Sequence, residues 1–310
     1  MIKESLLRRK IPLLLVLALT FGVLGGLADY FGPAVRVDEN TLHPPAHAQP
    51  ETTGAPAPAV SAAGAILIRA DTGAIIFEKE AESGLHVAAL LYPASTTKIM
   101  TALVVLETLD RLSLGPDSRI IVPAEAAGLE GSSVYLKAGE EISMEELLYG
   151  MMLQSGNDAA TAAAICAGGS LQNFVVQMNQ KAEALGCTGT HFTNACGLFD
   201  ENHYTTAKDM ARIAAAAMQR EDFRRIVSAP RWQSAESKRN FYNKNKTVHQ
   251  YEGGDGVKIG FTKASGRTLV ASATRGDVSL IAVVLRDGNW FADAYAMLDY
   301  GFAVSEGDGR

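Results

Sequence analysis

Paired cysteines, histidine-based metal spacings and an excess of basic charge are all missing from this sequence. The three cysteines, Cys166, Cys187 and Cys196, form no CxxC pair, and no HExxH or related ligand spacing occurs. The common zinc and thiol-redox motifs are therefore absent, and no metal or cofactor is expected. The cysteines read as small buried residues. A single bridge such as Cys187–Cys196 is open to them in an oxidising compartment, and the odd count then leaves a thiol over. The formal net charge is −6, so a nucleic-acid partner, which needs a basic face, is not expected. No GxSxG elbow is present, which argues against a Ser-His-Asp hydrolase of that type. His191 and His203 then read as structural. There is no internal repeat. What remains is a chain of 310 residues, 47% hydrophobic and 20% charged, with ample material for a packed core.

The N-terminus has the order of an export signal. Arg8, Arg9 and Lys10 precede an apolar run from Ile11 to about Ala28. Gly26-Leu27-Ala28 and Ala46-His47-Ala48 both offer small-x-small cleavage sites. The run is ~18 residues long, the lower edge for spanning a bilayer, so a cleaved signal and a retained membrane anchor both fit residues 1–28. Basic residues before the run place the remainder outside the cytoplasm in either case. Residues 29–62 are rich in Pro, Ala and Thr towards their end and read as a disordered tether. The folded domain is expected to cover 63–305, with a short tail at 306–310.

Within that domain, Ala65–Ile68 and Ala74–Phe77 are β-prone runs separated by Asp71-Thr72-Gly73, a hairpin signal. From about 95 to 225 the pattern is mostly helical. Thr206 followed by Asp209 looks like a capping pair opening a helix through Met218. Strand character returns at Val257–Thr262, Leu269–Thr274 and Ser279–Leu285, and a last helix is expected over Phe291–Val304. The connections at 71–73 and 276–277 are too short for crossovers, so the sheet should be largely antiparallel. The expected class is α/β, with a helical block between two N-terminal and three C-terminal strands.

Three short elements could carry chemistry. Ser95 and Lys98 lie three apart at the start of a helix that is apolar nearly all round, which belongs in the interior. Burial favours the neutral amine of a lysine, and a neutral amine beside a hydroxyl is a general base beside its nucleophile. Ser155-Gly156-Asn157 breaks a second apolar helical stretch and can aim Ser155 and Asn157 into one cleft. In Val257–Thr262, strand alternation puts Lys258, Gly260 and Thr262 on one face and Val257, Ile259 and Phe261 on the other. A lysine, a gap and a hydroxyl suit a carboxylate ligand. Each element alone is explained as well by a capping serine, a helix break or an amphipathic strand with a solvated lysine. Their occurrence together, in the order SxxK, SxN, KxG, is far more specific.

On these elements the chain resembles the penicillin-recognising serine acyltransferases, and more narrowly the low-molecular-mass D-alanyl-D-alanine carboxypeptidases. Pro93–Lys98, Gly131-Ser132-Ser133, Ser155–Ala159, His203–Ala207 and Leu269–Ala273 all read like that family. The resemblance implies the β-lactamase/transpeptidase-like fold and a set of roles. Ser95 would attack the carbonyl between two terminal D-alanines of a peptidoglycan stem peptide, and Lys98 would take its proton. The Ser95 and Phe261 N–H groups would form the oxyanion hole. Ser155, assisted by Lys258, would pass a proton to the departing D-alanine, and Asn157 would orient Lys98 and a substrate amide. Lys258 and Thr262 would face the terminal carboxylate, with Gly260 permitting close approach. β-Lactams would acylate Ser95. One departure stands out: Ile259 occupies the place of the threonine in the family's Lys-Thr-Gly. Either a carboxylate contact is lost, or alternation turns Ile259 to the core and Thr262 substitutes. A D,D-endopeptidase cutting cross-links, or a catalytically weakened peptidoglycan-binding member, are the alternatives. A class A β-lactamase is disfavoured because no E-x-x-L-N stretch lies between 157 and 258.

Overall fold

A computed structural model describes residues 56–79 and 90–307. The apolar run, most of the tether and the last three residues of the tail lie outside them. Strands β1 (Gly64–Arg69) and β2 (Ile75–Lys79) form the expected hairpin. After them come α1 (Lys98–Arg111), β3 (Arg119–Ile121), β4 (Glu141–Ser143), α2 (Met144–Leu153), α3 (Asn157–Gly168), α4 (Leu171–Ala184), α5 (Ala207–Met218) and α6 (Glu221–Ser228). The chain continues through β5 (Arg231–Gln233), β6 (Asn240–Tyr242), α7 (Thr247–Gln250), β7 (Gly254–Thr262), β8 (Gly266–Arg275), β9 (Val278–Leu285) and α8 (Trp290–Gly307). The main sheet has the order β2-β1-β9-β8-β7, and every pairing in it is antiparallel.

Period-two patterning sorts the sheet's side chains onto two faces. Ala65, Leu67, Leu269, Ala271, Leu280, Ala282 and Val284 pack against Ala294, Met297, Leu298 and Phe302 of α8. Ile66, Ile68, Val270, Ile281, Val283 and Leu285 face the other way, into the helical layer. Both faces are covered, which is why β8 and β9 read as continuous apolar runs rather than alternating ones. The expected cap on α5 is present, with Thr206 Oγ1 accepting from the Asp209 N–H at 3.0 Å.

Three expectations need correction, and the bridge left open to the cysteines is not formed. The ordered domain begins before residue 63: Val60 and Ala62 are buried in the α8-side core, and Ser61 bonds to Asp287 and Asp293. Composition alone hides this, because the anchoring residues sit in an Ala-rich stretch. The segment read as mostly helical contains the β3–β4 pair, whose three-residue strands are too short to show a period. The cysteines form no bridge; the Cys187 thiol instead points to the Asp209 carbonyl at 3.7 Å and that of Cys196 to Asn194 Oδ1 at 3.5 Å. Val257 packs with the helical-side core, whereas Ile259 packs with the α8-side core, although alternation groups the two. Among the described residues no single helix is long and apolar enough to cross a membrane.

Candidate active site

Ser95 lies in a short 3-10 turn, Ala94–Thr97, that runs directly into α1. Ser95 therefore stands one tight turn ahead of the helix proper, with Lys98 as the first α-helical residue. Helix α1 is buried on nearly every side, and Lys98 is fully buried with it.

The Lys98 ammonium position is defined by three contacts: Ser95 Oγ at 3.0 Å, Asn157 Oδ1 at 2.8 Å and the Cys196 carbonyl at 2.6 Å. The Asn157 amide is oriented by its other end, where Nδ2 donates to the Glu130 carbonyl at 2.7 Å. Asn157 Oδ1 and the Cys196 carbonyl can only accept. A neutral amine that donates its two N–H groups to them has one direction left for its lone pair, towards Ser95 Oγ. Burial lowers the Lys98 pKa to about 8, opposed by Cys196 and Asp158 and helped by Lys244. The Lys98 amine is thus held where a neutral fraction exists near physiological pH, as a general base would need.

Lys258 on β7 is likewise buried, and its pKa is pushed well down by burial, then by the positive charges of Lys98 and Lys244. Its Nζ donates to the Ile259 carbonyl at 3.0 Å. Ser155 sits at the break between α2 and α3, almost fully buried, at φ 63°. A non-glycine residue in this left-handed region carries strain, a feature that concentrates at functional sites. The Ser155 hydroxyl makes no hydrogen bond to Lys98 or Lys258 here.

The turn carrying Ser95 is gripped from two sides. On β7, a Cβ at Gly260 would lie 2.8 Å from the Ser95 nitrogen and 2.5 Å from Thr268 Oγ1. Only glycine lets the strand pass so close, and this sets the 260–261 backbone beside the Ser95 N–H, as an oxyanion hole requires. From the opposite side comes Gly197, at φ +82°, where a Cβ would fall 1.8 Å from the Ala94 carbonyl oxygen. The loop around Gly197 is wound about Asn194, whose Oδ1 accepts from the N–H groups of Cys196, Gly197 and Leu198 at 2.7–3.2 Å.

One of the two readings left open for Ile259 drops out, and the reading of Thr262 changes. Ile259 packs against the α8-side core, so its side chain lies on the sheet face opposite the site. The alternation reading holds, and a lost carboxylate contact by this side chain does not follow. Thr262 is no substitute, because its hydroxyl is committed to the β7–β8 turn, bonding Ser265 Oγ at 2.9 Å and the Ser265 N–H at 3.0 Å. The Phe261 ring is exposed, and only its backbone approaches the site.

Several supporting residues escaped the sequence reading. Asp158, fully buried, accepts from Ser133 Oγ at 2.6 Å and from the N–H groups of Val134, Leu136 and Ala159, pinning the 130–136 loop against α3. That loop returns the grip: the Asn157 N–H donates to the Ser132 carbonyl at 2.7 Å. Lys244 donates to the Gln154 carbonyl at 2.9 Å, placing a third cation beside Ser155. Its only sequence signal was the basic alternation Asn243-Lys244-Asn245-Lys246. His203 lies beneath the site. Its Nδ1 accepts from the Thr193 N–H, so Nε2 carries the proton and donates to Thr97 Oγ1 at 2.8 Å. Burial drives its pKa down to about 4, consistent with a neutral structural role.

Comparison with known proteins agrees with this geometry. The chain is 36% identical over 250 residues to D-alanyl-D-alanine carboxypeptidase DacF of Bacillus subtilis, covering 78% of this chain and 62% of that one. It is 35% identical over 267 residues to DacC of Escherichia coli, covering 81% and 63% respectively. The chain thus spans somewhat under two thirds of the length of these relatives. Among solved structures, the Streptomyces K15 DD-transpeptidase superposes with a TM-score of 0.72 at 29% identity, covering 80% of this chain and all of that one. Penicillin-binding protein D2 of Listeria monocytogenes, in its ampicillin-bound form, superposes with a TM-score of 0.70 at 26% identity, over 80% of this chain and 100% of that one. The family model described as D-alanyl-D-alanine carboxypeptidase matches residues 51–289, and with the Ser95–Lys98–Asn157 constellation in place the chain belongs to that peptidase family.

Proposed function

We propose that this protein is a serine D,D-carboxypeptidase that removes the terminal D-alanine from peptidoglycan stem peptides. The observation that carries the reading is the lysine whose two fixed acceptors leave its lone pair facing Ser95 Oγ. Ser95 Oγ attacks the carbonyl carbon between the last two residues and its proton passes to Lys98 Nζ. The developing oxyanion is received by the Ser95 and Phe261 N–H groups. The C–N bond then breaks, the departing amine receiving through Ser155 the proton that Lys98 took from Ser95, and an acyl ester on Ser95 and a neutral Lys98 remain. Water hydrolyses that ester, with Lys98 as the base. Lys98, Lys258 and Lys244 line the cleft with amines that burial makes easy to deprotonate, and a substrate ending in a carboxylate favours the protonated form of those that do not serve as base. Asn157 orients the base, and Gly260 admits the substrate backbone to the edge of β7.

β-Lactams are expected to acylate Ser95 and leave slowly. The basic-then-apolar order of the N-terminal segment supports a domain outside the cytoplasm, secreted or held at the membrane by residues 11–28; mass spectrometry of the mature N-terminus distinguishes the two. The catalytic test is D-alanine release from a pentapeptide, with a fluorescent penicillin as active-site label. Wild type is expected to show both activities and Ser95→Ala neither. Release and labelling that persist in Ser95→Ala would sink the assignment, and cleavage confined to cross-linked dimers would move it to a D,D-endopeptidase.

A further inference from the structure

The β5–β6 hairpin has an inner and an outer face of different chemistry. Inward, Trp232 stacks on Tyr149 at 4.7 Å and Phe241 on Trp232 at 5.8 Å, with planes 9° and 17° apart. These rings fasten the hairpin to α2. Outward, the register pairs Arg231 with Tyr242 and Gln233 with Asn240, all four exposed. Tyr242 is 60% exposed. It is nevertheless held flat: the His249 ring lies parallel at 4.6 Å, 3° from coplanar, and His249 Nε2 is itself anchored on the Asn243 carbonyl at 2.8 Å. One face of the tyrosine is therefore covered and fixed, and the other is offered to solvent.

A rigid exposed aromatic plane ringed by a guanidinium and two carboxamides suits a pyranose ring. The C–H face of the sugar lies on the aromatic plane, while hydroxyl and acetamido groups meet planar donors and acceptors. No aliphatic side chain flanks Tyr242 on this hairpin face, so nothing there suits an apolar protein partner. The hairpin is also tied to the catalytic cleft. Gln154, immediately before Ser155, donates from Nε2 to the Tyr242 carbonyl at 2.8 Å and accepts from Lys244 Nζ through its own carbonyl. The hairpin is thus bonded to the residue next to Ser155, at the edge of the cleft that a stem peptide would enter.

We infer that the outer face of the β5–β6 hairpin, centred on Tyr242, is a platform for the N-acetylated hexose rings of the glycan strand that carries the stem peptide. The inference rests on the proposed carboxypeptidase reading for its choice of glycan, but binding to the platform can be measured without turnover. The probe is a soluble β-1,4-linked N-acetylglucosamine tetramer titrated against the full chain by NMR or calorimetry. Wild type and Tyr242→Phe are expected to bind it, and Tyr242→Ala to lose it while melting at the wild-type temperature. In turnover, the preference of wild type for a disaccharide-linked pentapeptide over the free pentapeptide is expected to shrink about fivefold in Tyr242→Ala, the scale of one well-made aromatic contact. No tetramer binding by wild type, or equal binding by Tyr242→Ala, would overturn the platform. Saccharide binding without D-alanine release from either substrate would leave the platform standing and remove the carboxypeptidase reading instead.

Discussion

The two faces of the central sheet are built to different ends. Against α8 the sheet presents Leu, Ala, Val and Ile to Met297, Leu298 and Phe302. Each fully buried aliphatic side chain there contributes ~1.5–3 kcal/mol by leaving water. The helical layer on the other side holds Lys98, Asn157, Asp158, Thr97 and His203, all buried. Withdrawing a cation such as Lys98 from water costs several kcal/mol even when it is well hydrogen-bonded. One face stabilises the fold, and the other spends part of that stability on a lysine held near neutrality. Lys258 and Ile259, adjacent in sequence, fall on opposite sides of this division.

The strongest way to break the comparison is to make the catalytic face resemble the other. Lys98→Met keeps the unbranched stem and removes the charge. D-Alanine release is expected to fall by at least ~10³-fold, the scale of a general base, while the melting temperature rises because a buried cation has been replaced by a thioether. A melting temperature that falls would show that the lysine contacts are net stabilising and that the division of labour is wrong. Nearly as damaging, Gly197→Ala drives a methyl into the Ala94 carbonyl and imposes a left-handed φ on a residue with a side chain. Acylation of Ser95 is expected to drop ~100-fold or more, since a small misplacement at the reacting centre has effects of that order. Fluorescent-penicillin labelling rates measure it.

The pH profile sharpens the electrostatic half of the argument. The reactive form of Lys98 is the neutral one, so kcat/KM should rise with pH and level off above about 8. Lys244 disfavours the charged form of Lys98, so its removal restores some proton affinity. Lys244→Gln is therefore expected to move the rising limb to higher pH, read from kcat/KM over pH 6–10. The stability of the fold follows the same group in the opposite sense from a salt-bridged lysine. With its folded pKa lowered to about 8 from 10.5, the unfolded chain binds more protons between those values, and stability rises with pH across that window.

Ile259→Thr tests the sheet division at a single residue. The isoleucine packs with the α8-side core, so the threonine hydroxyl enters apolar surroundings. A stability loss of ~1 kcal/mol is expected, with carboxypeptidase turnover unchanged or modestly raised. A sharp loss of turnover would mean that position 259 reaches the substrate after all.

Much of this was legible in sequence because the patterns are local. The β1–β2 hairpin, the Thr206 cap, the strand set at 257–285 and the Ser95–Lys98 spacing each follow from residues a few positions apart. What escaped depends on contacts between distant segments. Asn194, Cys196 and Gly197 contribute backbone geometry nearly a hundred positions after Lys98, and no side-chain chemistry announces a carbonyl acceptor. Asp158 was visible only as a helix-cap residue, because its partners at 133–136 converge on it through folding. Thr262 looked free because alternation cannot show that a hydroxyl is claimed by the next turn, and alternation grouped Val257 with Ile259 although the two pack with different cores.

The smallest expected effect lies where the apolar face meets the tether. Asp287 and Asp293 are both buried; Ser61 Oγ donates to each, at 2.6 and 2.9 Å. Asp287 Oδ2 meets no donor among the described residues, and a proton taken up by Asp287 and held towards the Asp293 carboxylate would satisfy it. Burial raises the Asp287 pKa, the neighbouring Asp293 adding to the effect, while bonds from Ser61 and Asn289 oppose it. A raised carboxylate pKa means that the folded state binds more protons than the unfolded one. Its stabilising contribution is fully present below the ordinary aspartate value and is lost as pH rises through the folded value. Asp287→Asn keeps an oxygen for Ser61 and the Asn289 N–H and supplies an N–H in place of that proton. The variant should match wild type in acid and exceed it by ~1 kcal/mol at neutral pH, as denaturant melts at the two pH values would show. Equal stability at both would mean that the acid pair is not under strain, and that the α8 face is as undemanding at its rim as at its centre.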